Sequence, residues 1–138
     1  FVLEDTWYEI KTLSPGSIDV AISSVEQLDN PAEGHLVIQT AERTTITSSV
    51  GITLNEAFEK LDNLLKEYPQ TRRIMRGNLI SMGYASVPYY DQFKFVFYER
   101  WSYRVGRDFP ALRRKQLPEA VSEVKYRLML AQLNDFKE

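Results

Sequence analysis

The residues most able to do chemistry lie near the start of the chain, in the run Trp7-Tyr8-Glu9-Ile10-Lys11. Aromatic and β-branched residues in such a run favour a strand. Side chains alternate along a strand, so Glu9 and Lys11 share one face and lie about 6–7 Å apart. A carboxylate placed there can bind a hard cation such as Mg²⁺, and the ammonium beside it can orient or deprotonate a water, or neutralise a phosphate. Tyr8 and Ile10 are expected to face the core.

A glutamate and a lysine two residues apart are weak evidence by themselves, because Glu123-Val124-Lys125 repeats the pattern. The alternative for either copy is a solvated strand face with an ion pair. The surroundings favour the first copy, since a Ser-Pro-Gly-Ser turn and a short helix that contains Gln27 follow it. Gln27 can face back towards this strand. It also fits a second role, because Ser24-x-x-Gln27 has the spacing of a capping box.

The composition excludes several kinds of site. The chain has 138 residues, no cysteine and a single histidine, His35. Thiolate nucleophiles, disulfides, thiolate metal sites and sites built on several histidines are therefore excluded. His35 is predicted to be an ordinary surface or strand-edge residue. The formal net charge of −2 does not indicate a bulk electrostatic attraction to nucleic acid. Without an apolar run of about 18 residues, no membrane helix is predicted, and we expect a cytoplasmic protein.

Strands and helices alternate in the predicted order of elements. Strands are predicted over residues 6–12, 36–38 and 93–105, and a short helix over 23–28. Apolar residues at helical spacing predict a helical pair over about 53–82, which begins with a capping box at Thr53-x-x-Glu56. Residues 124–130 alternate as in a further strand, with a helix as the alternative. The pattern predicts the α/β (α+β) class: one domain or fragment over residues 1–138, with a mixed central β-sheet flanked by helices and a β-rich second half.

The order and spacing of several landmarks resemble a bacterial family known as "PD-(D/E)XK motif protein". The landmarks are Trp7-Tyr8-Glu9-Ile10-Lys11, the run from Ile22 to Leu28, Gly51-Ile52-Thr53-Leu54, Leu79 to Tyr84, Val105 with Phe109-Pro110, and Val124-Lys125-Tyr126. They cover most of the chain and correspond to the C-terminal portion of a longer protein. Members are similar to restriction-type endonucleases. The resemblance therefore implies a restriction-endonuclease-like core and metal-dependent hydrolysis of DNA in a restriction or phage-defence system.

The resemblance also implies roles for individual residues. Glu9 matches the second acidic residue of the motif and Lys11 matches its lysine. The main-chain carbonyl of Ile10 would be a further metal ligand, and Gln27 matches the polar residue on the next helix. The implied catalytic residues are thus Glu9, Lys11 and Gln27, the implied metal ligands are Glu9 and Ile10, and the implied cofactor is Mg²⁺ or Mn²⁺.

The first aspartate of the motif has no close match in this sequence. The acids before Glu9 are Glu4 and Asp5. Asp5 lies about 13 Å from Glu9 along an extended strand, which is too far to share one metal ion without a bulge. Because the sequence opens at Phe1, we expect the aspartate to lie upstream of it, and we expect this chain to be a fragment that cannot cut DNA alone.

Four arginines are predicted to contact a DNA backbone. Arg72 and Arg73 lie on the second predicted helix, and Arg113 and Arg114 follow the long strand. The alternative is a solvated face balanced by acidic residues, namely Glu59, Asp62, Glu67 and Glu99. The expected partners are double-stranded DNA, a methyltransferase or other defence proteins, and a second copy of the chain.

Three functions stay open at this point. The first is a metal-dependent DNA endonuclease, the second a DNA-binding or protein-interaction domain that keeps the fold without catalysis, and the third a structural domain with an accidental Glu-x-Lys. The arrangement of Glu9 and Lys11 discriminates between them. A nuclease predicts the two side by side in a polar cleft with Gln27 near, whereas a scaffold predicts an ion pair on an open face.

Overall fold

Six strands and two α-helices make up the regular structure of the residues that the computed structural model describes, which are 2–3 and 6–138. The strands are β1 (Val2–Leu3), β2 (Thr6–Leu13), β3 (Asp19–Ile22), β4 (Gly34–Thr45), β5 (Phe93–Val105) and β6 (Tyr126–Met129), and the helices are α1 (Leu54–Leu64) and α2 (Pro69–Ser81). Short 3₁₀ turns cover Val25–Gln27, Pro88–Asp91, Arg114–Gln116 and Leu130–Phe136. Among these described elements, no helix has the length and apolar character needed to cross a bilayer.

The larger sheet has the strand order β1-β2-β4-β5, and β3 pairs with β6 in a separate antiparallel sheet. Strands β2 and β4 run parallel, with Glu9 opposite Leu36 and Lys11 opposite Ile38. Parallel neighbours need a crossover connection rather than a hairpin. Residues 14–33 form that crossover, and they include both β3 and the turn that contains Gln27.

The apolar core lies against one face of the larger sheet. Leu36 and Ile38 of β4 are fully buried, and Trp7 of β2 joins the same cluster. Trp7 lies opposite Gly34, where an added Cβ would come within 2.2 Å of the indole ring. Only glycine fits at this position, because any side chain would displace the tryptophan from the core.

The chain divides into two compact units. Phe1–Ala41 and Tyr98–Glu138 form the first unit, and Glu42–Phe97 form the second. The first unit contains the buried apolar cluster. The second contains both helices, and α1 begins with the predicted capping box, in which Thr53 and Glu56 each accept a hydrogen bond from the other's backbone N–H.

Most predicted elements are present, and the differences include the short helix, β3 and the direction of Ile10. The strands that begin at Thr6 and Phe93 and the helical pair are confirmed, whereas the short helix is a 3₁₀ turn and β3 was not predicted. The predicted direction of Ile10 is wrong, since 61% of this residue is exposed. Apolar residues occur on both faces of β2, so the alternation alone could not show which face meets the core.

Candidate active site

Strand β2 places Glu9 and Lys11 side by side, as the alternation of its side chains predicts. Lys11 Nζ lies 3.0 Å from Glu9 Oε1, so the two residues form an ion pair. The side chain of Lys11 is 16% exposed and that of Glu9 is 23% exposed. Both share the strand face of buried Trp7. The pair therefore lies beside the core and is largely shielded from bulk solvent.

The 3₁₀ turn after β3 brings Gln27 to the same ion pair. Gln27 Oε1 accepts a hydrogen bond from Lys11 Nζ at 2.9 Å and another from the backbone N–H of Ser23 at 2.8 Å. The backbone contact fixes the carboxamide. Lys11 is consequently held from two directions, by a carboxylate on its own strand and by an amide oxygen from the crossover.

The hydrogen bond between Gln27 and Ser23 also bears on the second role considered for Gln27, which is a capping box with Ser24. Ser24 begins the turn without a side-chain cap hydrogen bond, so the predicted capping box at Ser24 is wrong. Gln27 Oε1 accepts instead from the backbone N–H of Ser23, the residue before Ser24. This side chain thus closes the turn and binds Lys11 at the same time.

The arrangement combines features expected of a nuclease and of a scaffold. Glu9, Lys11 and Gln27 come together, as a nuclease site requires. The ion pair between Glu9 and Lys11 was expected of a scaffold, but it is mostly buried and does not lie on an open face. The catalytic roles of the three residues stay predictions.

Oxygen donors at the site suit a hard cation but are few. Glu9 supplies one carboxylate, and the main-chain carbonyl of Ile10 is the other predicted donor. Within residues 2–3 and 6–138, no three His, Cys, Asp or Glu side chains lie close enough to share a metal ion. Glu4 and Asp5, the other acids considered, are outside the described residues. Mg²⁺ is often held by one or two carboxylates with waters and substrate phosphates, so Glu9 meets the minimum requirement.

The opposite face of β2 holds a group that sequence reasoning missed. The rings of Tyr8 and His35 stack with their centroids 5.1 Å apart. His35 Nδ1 lies 2.7 Å from Glu138 Oε2. A cleft of about 480 Å³ on this face is lined by Tyr8, Ile10, Val37 and Glu138, among others. No sequence signal links His35 to Glu138, because the two are 103 positions apart.

Arg72, one of the predicted DNA-binding residues, has a partner within the second unit. Arg72 Nε donates to Asp62 Oδ1 at 2.8 Å, and Arg76 donates to both oxygens of the same carboxylate at 2.6 and 2.8 Å. The hydrogen bonds from Arg72 and then Arg76 hold the pKa of Asp62 well below its usual range. Arg73 lies on the exposed side of α2. DNA binding by Arg72 and Arg73 stays a prediction.

Arg113 and Arg114 bind other parts of the first unit. Arg113 donates to the carbonyls of Leu28 and Gly106, and its side chain is 13% exposed. Arg114 donates to Glu26 at 2.5 Å, and this hydrogen bond is the main cause that lowers the pKa of Glu26 to about 2. Both guanidinium groups stabilise loops of the first unit, and their contact with DNA also stays a prediction.

The second Glu-x-Lys lies in a different setting. Glu123 and Lys125 are exposed and belong to a segment without regular structure, since β6 begins only at Tyr126. The strand expected there is therefore wrong for residues 123–125. These two residues have the chemistry of Glu9 and Lys11 without their positioning, which makes them a natural control.

Comparison with known proteins gives one match. A family model described as "Putative PD-(D/E)XK family member, (DUF4420)" matches residues 1–131 of the 138-residue chain. No curated protein and no solved structure matches the chain.

Proposed function

The chain belongs to this family of PD-(D/E)XK members, and from that membership we propose that the full-length protein is a metal-dependent endonuclease for double-stranded DNA. The proposal includes action in a restriction or phage-defence system, with Mg²⁺ or Mn²⁺ as the cofactor. Family membership supports the nuclease-like character. The finer assignments are supported by the family resemblance and by the chemistry of the residues at the site.

One observation supports the proposal above all others: Lys11 connects Glu9 with Gln27, which lies 16 residues further along the chain. A purely structural ion pair would need only Glu9 and Lys11. The third member comes from a separate element and is anchored through the backbone of Ser23. Such fixed positioning suits catalysis, which requires reacting groups in one geometry.

Each side chain has a defined task in the proposed reaction. Glu9, with the carbonyl of Ile10, would hold the cation, and a bound divalent cation would neutralise phosphate charge and favour ionisation of a water. The Lys11 ammonium has three N–H donors. Glu9 and Gln27 engage two of them, so within the described residues the third is available to a water or a phosphate oxygen. The hydrogen bond from Lys11 to Gln27 does not involve Glu9, so Gln27 would hold Lys11 in place if Glu9 bound the cation.

Cleavage of supercoiled plasmid by the full-length protein, with Mg²⁺ or Mn²⁺, tests the proposal. Glu9→Gln and Lys11→Met are compared with Glu123→Gln and Lys125→Met, which change the same residue types in the exposed copy. We expect the first pair to reduce the cleavage rate by about 10²–10⁴-fold, the usual contribution of a positioned acid or base, and the second pair to leave it unchanged. Cleavage that survives Glu9→Gln and Lys11→Met would refute this site.

The defence role needs a separate measurement in cells. Cells that express the protein together with its neighbouring genes are challenged with phage, and the efficiency of plating is compared with that of cells expressing Glu9→Gln. We expect fewer plaques only with the intact site. Equal plating would leave a nuclease without this biological role.

A domain that binds DNA or protein without catalysis is the second candidate. The ion pair between Glu9 and Lys11 favours it, because the two charges already satisfy each other at 3.0 Å. This candidate predicts that the full-length wild-type protein binds DNA or a protein but does not cleave plasmid with either cation. It also predicts that Glu9→Gln changes stability rather than any reaction rate.

A further inference from the structure

Helix α2 lies at the surface of the second unit along its whole length. None of its residues is buried, and Ile74 and Ile80 are 60% and 70% exposed. Its partly covered residues are Arg72, Met75 and Leu79. Their spacing of three and four places them on one side of the helix, so the opposite side is open to solvent.

The open side combines side chains that suit the edges of base pairs. Gln70, Arg73, Ile74, Gly77 and Asn78 repeat at intervals of three and one, and all five are exposed. In the major groove, arginine pairs with guanine, glutamine and asparagine pair with adenine, and an aliphatic group contacts the thymine methyl. Helix α2 has three arginines and no acidic residue, so its own charges attract phosphates.

Gly77 lies in the middle of this open side. A Cβ built at Gly77 would meet no atom within 4 Å, so packing inside the protein does not require glycine there. Glycine weakens a helix interior relative to alanine. The absence of a side chain on the open face lets a second molecule approach the helix backbone closely.

The attachment of α2 to α1 fixes the direction of this face. Residues 65–68 join the two helices, a connection as short as those of helix-turn-helix motifs. Asp62 of α1 binds Arg72 and Arg76 on the covered side of α2. Charge-assisted hydrogen bonds of this kind are strong and directional. Two arginines against one aspartate also leave a net positive charge, to which Arg73 adds.

We infer that α2 is a reading helix, whose open face enters the major groove of double-stranded DNA and sets part of the sequence preference. The inference rests on the proposed function, because it takes duplex DNA as the substrate, and it adds the element that selects the sequence. Charge and chemistry favour DNA over a protein partner: the face joins base-edge donors to a helix whose charges are all positive.

We test this inference with the full chain in two steps. The chain first selects duplexes from a pool with a randomised centre, and its affinity for the selected duplex is then measured. Gly77→Leu is compared with Asn63→Leu, which adds bulk to the exposed side of α1, and Arg73→Gln is compared with Lys60→Gln. We expect Gly77→Leu and Arg73→Gln each to lower affinity by about tenfold or more, and both controls to bind as wild type. Gly77→Leu should keep or raise Tm, because leucine favours a helix.

Three results would overturn the inference. In the first, Gly77→Leu and Arg73→Gln select the same duplex as wild type and bind it with the same affinity. In the second, the wild-type chain does not bind DNA. The third is a wild-type dimer that Gly77→Leu converts to a monomer without changing DNA affinity, which would make the face an interface between copies.

Glu9→Gln separates this inference from the proposed nuclease. If the reading helix is correct, Glu9→Gln selects the same duplexes as wild type. Helix-dependent selection by a full-length wild-type protein that cuts nothing would support the reading helix and refute the nuclease. If cleavage depends on Glu9 and substitutions in α2 do not change the selected sequences, the nuclease is supported and the reading helix is refuted.

Discussion

The two units of the molecule are stabilised by different interactions. In the first unit, apolar side chains such as Leu36 are wholly excluded from solvent. In the second, where all of residues 42–97 are described, the buried residues are Thr53 and Asp62, both polar. Apolar residues of the second unit are partly covered or exposed rather than buried, and Ile80 is 70% exposed.

This difference shows how stability and contact surface are divided along the chain. Apolar burial is large and non-directional, so the first unit has a firm frame on which Glu9 and Lys11 are positioned. A hydrogen bond contributes less but fixes direction. The second unit therefore keeps a defined helix pair with little apolar burial, and it leaves an open helix face for a partner.

A core substitution should produce the largest effect and sharpen the comparison. Leu36→Ala removes a fully buried side chain of the first unit and should lower the free energy of unfolding by about 2–5 kcal/mol. Ile80→Ala, its counterpart in the second unit, should change it by less than about 0.5 kcal/mol. Chemical denaturation measures both. Equal losses would mean that Ile80 is buried in solution.

Removal of Asp62 should loosen the second unit selectively. Asp62→Ala leaves Arg72 and Arg76 without their shared partner, although alanine itself favours a helix. Both α-helices lie in the second unit and both tryptophans lie in the first. We expect Tm by far-UV circular dichroism to fall several degrees, while tryptophan fluorescence changes little. Glu59→Ala, at an exposed acid of α1, is the control and should change neither.

Low pH should weaken the same contact between Asp62 and the two arginines. Hydrogen bonds from Arg72 and Arg76 lower the pKa of Asp62 in the folded protein below its ordinary value of 3.8. A lowered folded-state pKa means that the contribution to stability is complete above pH 3.8 and is lost as the pH falls below it. The helical signal should therefore weaken below this pH before the tryptophan signal does. In Asp62→Asn, this early loss should be absent.

The smallest of the predicted losses concerns the start of α1. Thr53→Ala removes the side chain that accepts the backbone N–H of Glu56. The loss of an N-cap typically costs about 1 kcal/mol. Thr53→Ser keeps the hydroxyl oxygen and should recover most of it. Urea denaturation followed by circular dichroism measures the difference, and equal stability of the two variants would show that the cap does not contribute.

Local sequence patterns were enough to predict the parts of the fold that form locally. Thr53-x-x-Glu56 marked the start of α1, and the alternation along β2 placed Glu9 and Lys11 together. Gln27 is predicted near them because a Ser-Pro-Gly-Ser turn and the short helix that contains it follow the strand, and the structure brings it within 2.9 Å of Lys11. The cap and the strand pair depend on residues two or three positions apart, whereas Gln27 reaches Lys11 across 16 positions.

The features that sequence reasoning missed depend on distant partners. Strand β3 has four residues and pairs with β6, so that Asp19 lies opposite Met129. Nothing within four residues indicates a partner so far along the chain. By contrast, the binding of Arg72 and Arg76 by Asp62 agrees with the alternative considered for the basic clusters, in which neighbouring acids balance the arginines. A basic run alone does not show which acid does so.

The parallel pairing of β2 with β4 has a consequence for how the chain folds. Glu9 and Lys11 are synthesised before β4, whose pairing with β2 extends to Thr40, and Gln27 lies in the crossover between them. Long-range pairings form slowly, because a loop must close before any contact compensates for the lost entropy. Strand β3 lies within that crossover, and it cannot pair before β6 has been synthesised, because Asp19 pairs with Met129. A nascent or partly unfolded chain therefore has the Glu-x-Lys tripeptide without its assembled surroundings, and the proposed DNA-cutting geometry arises only when folding is complete.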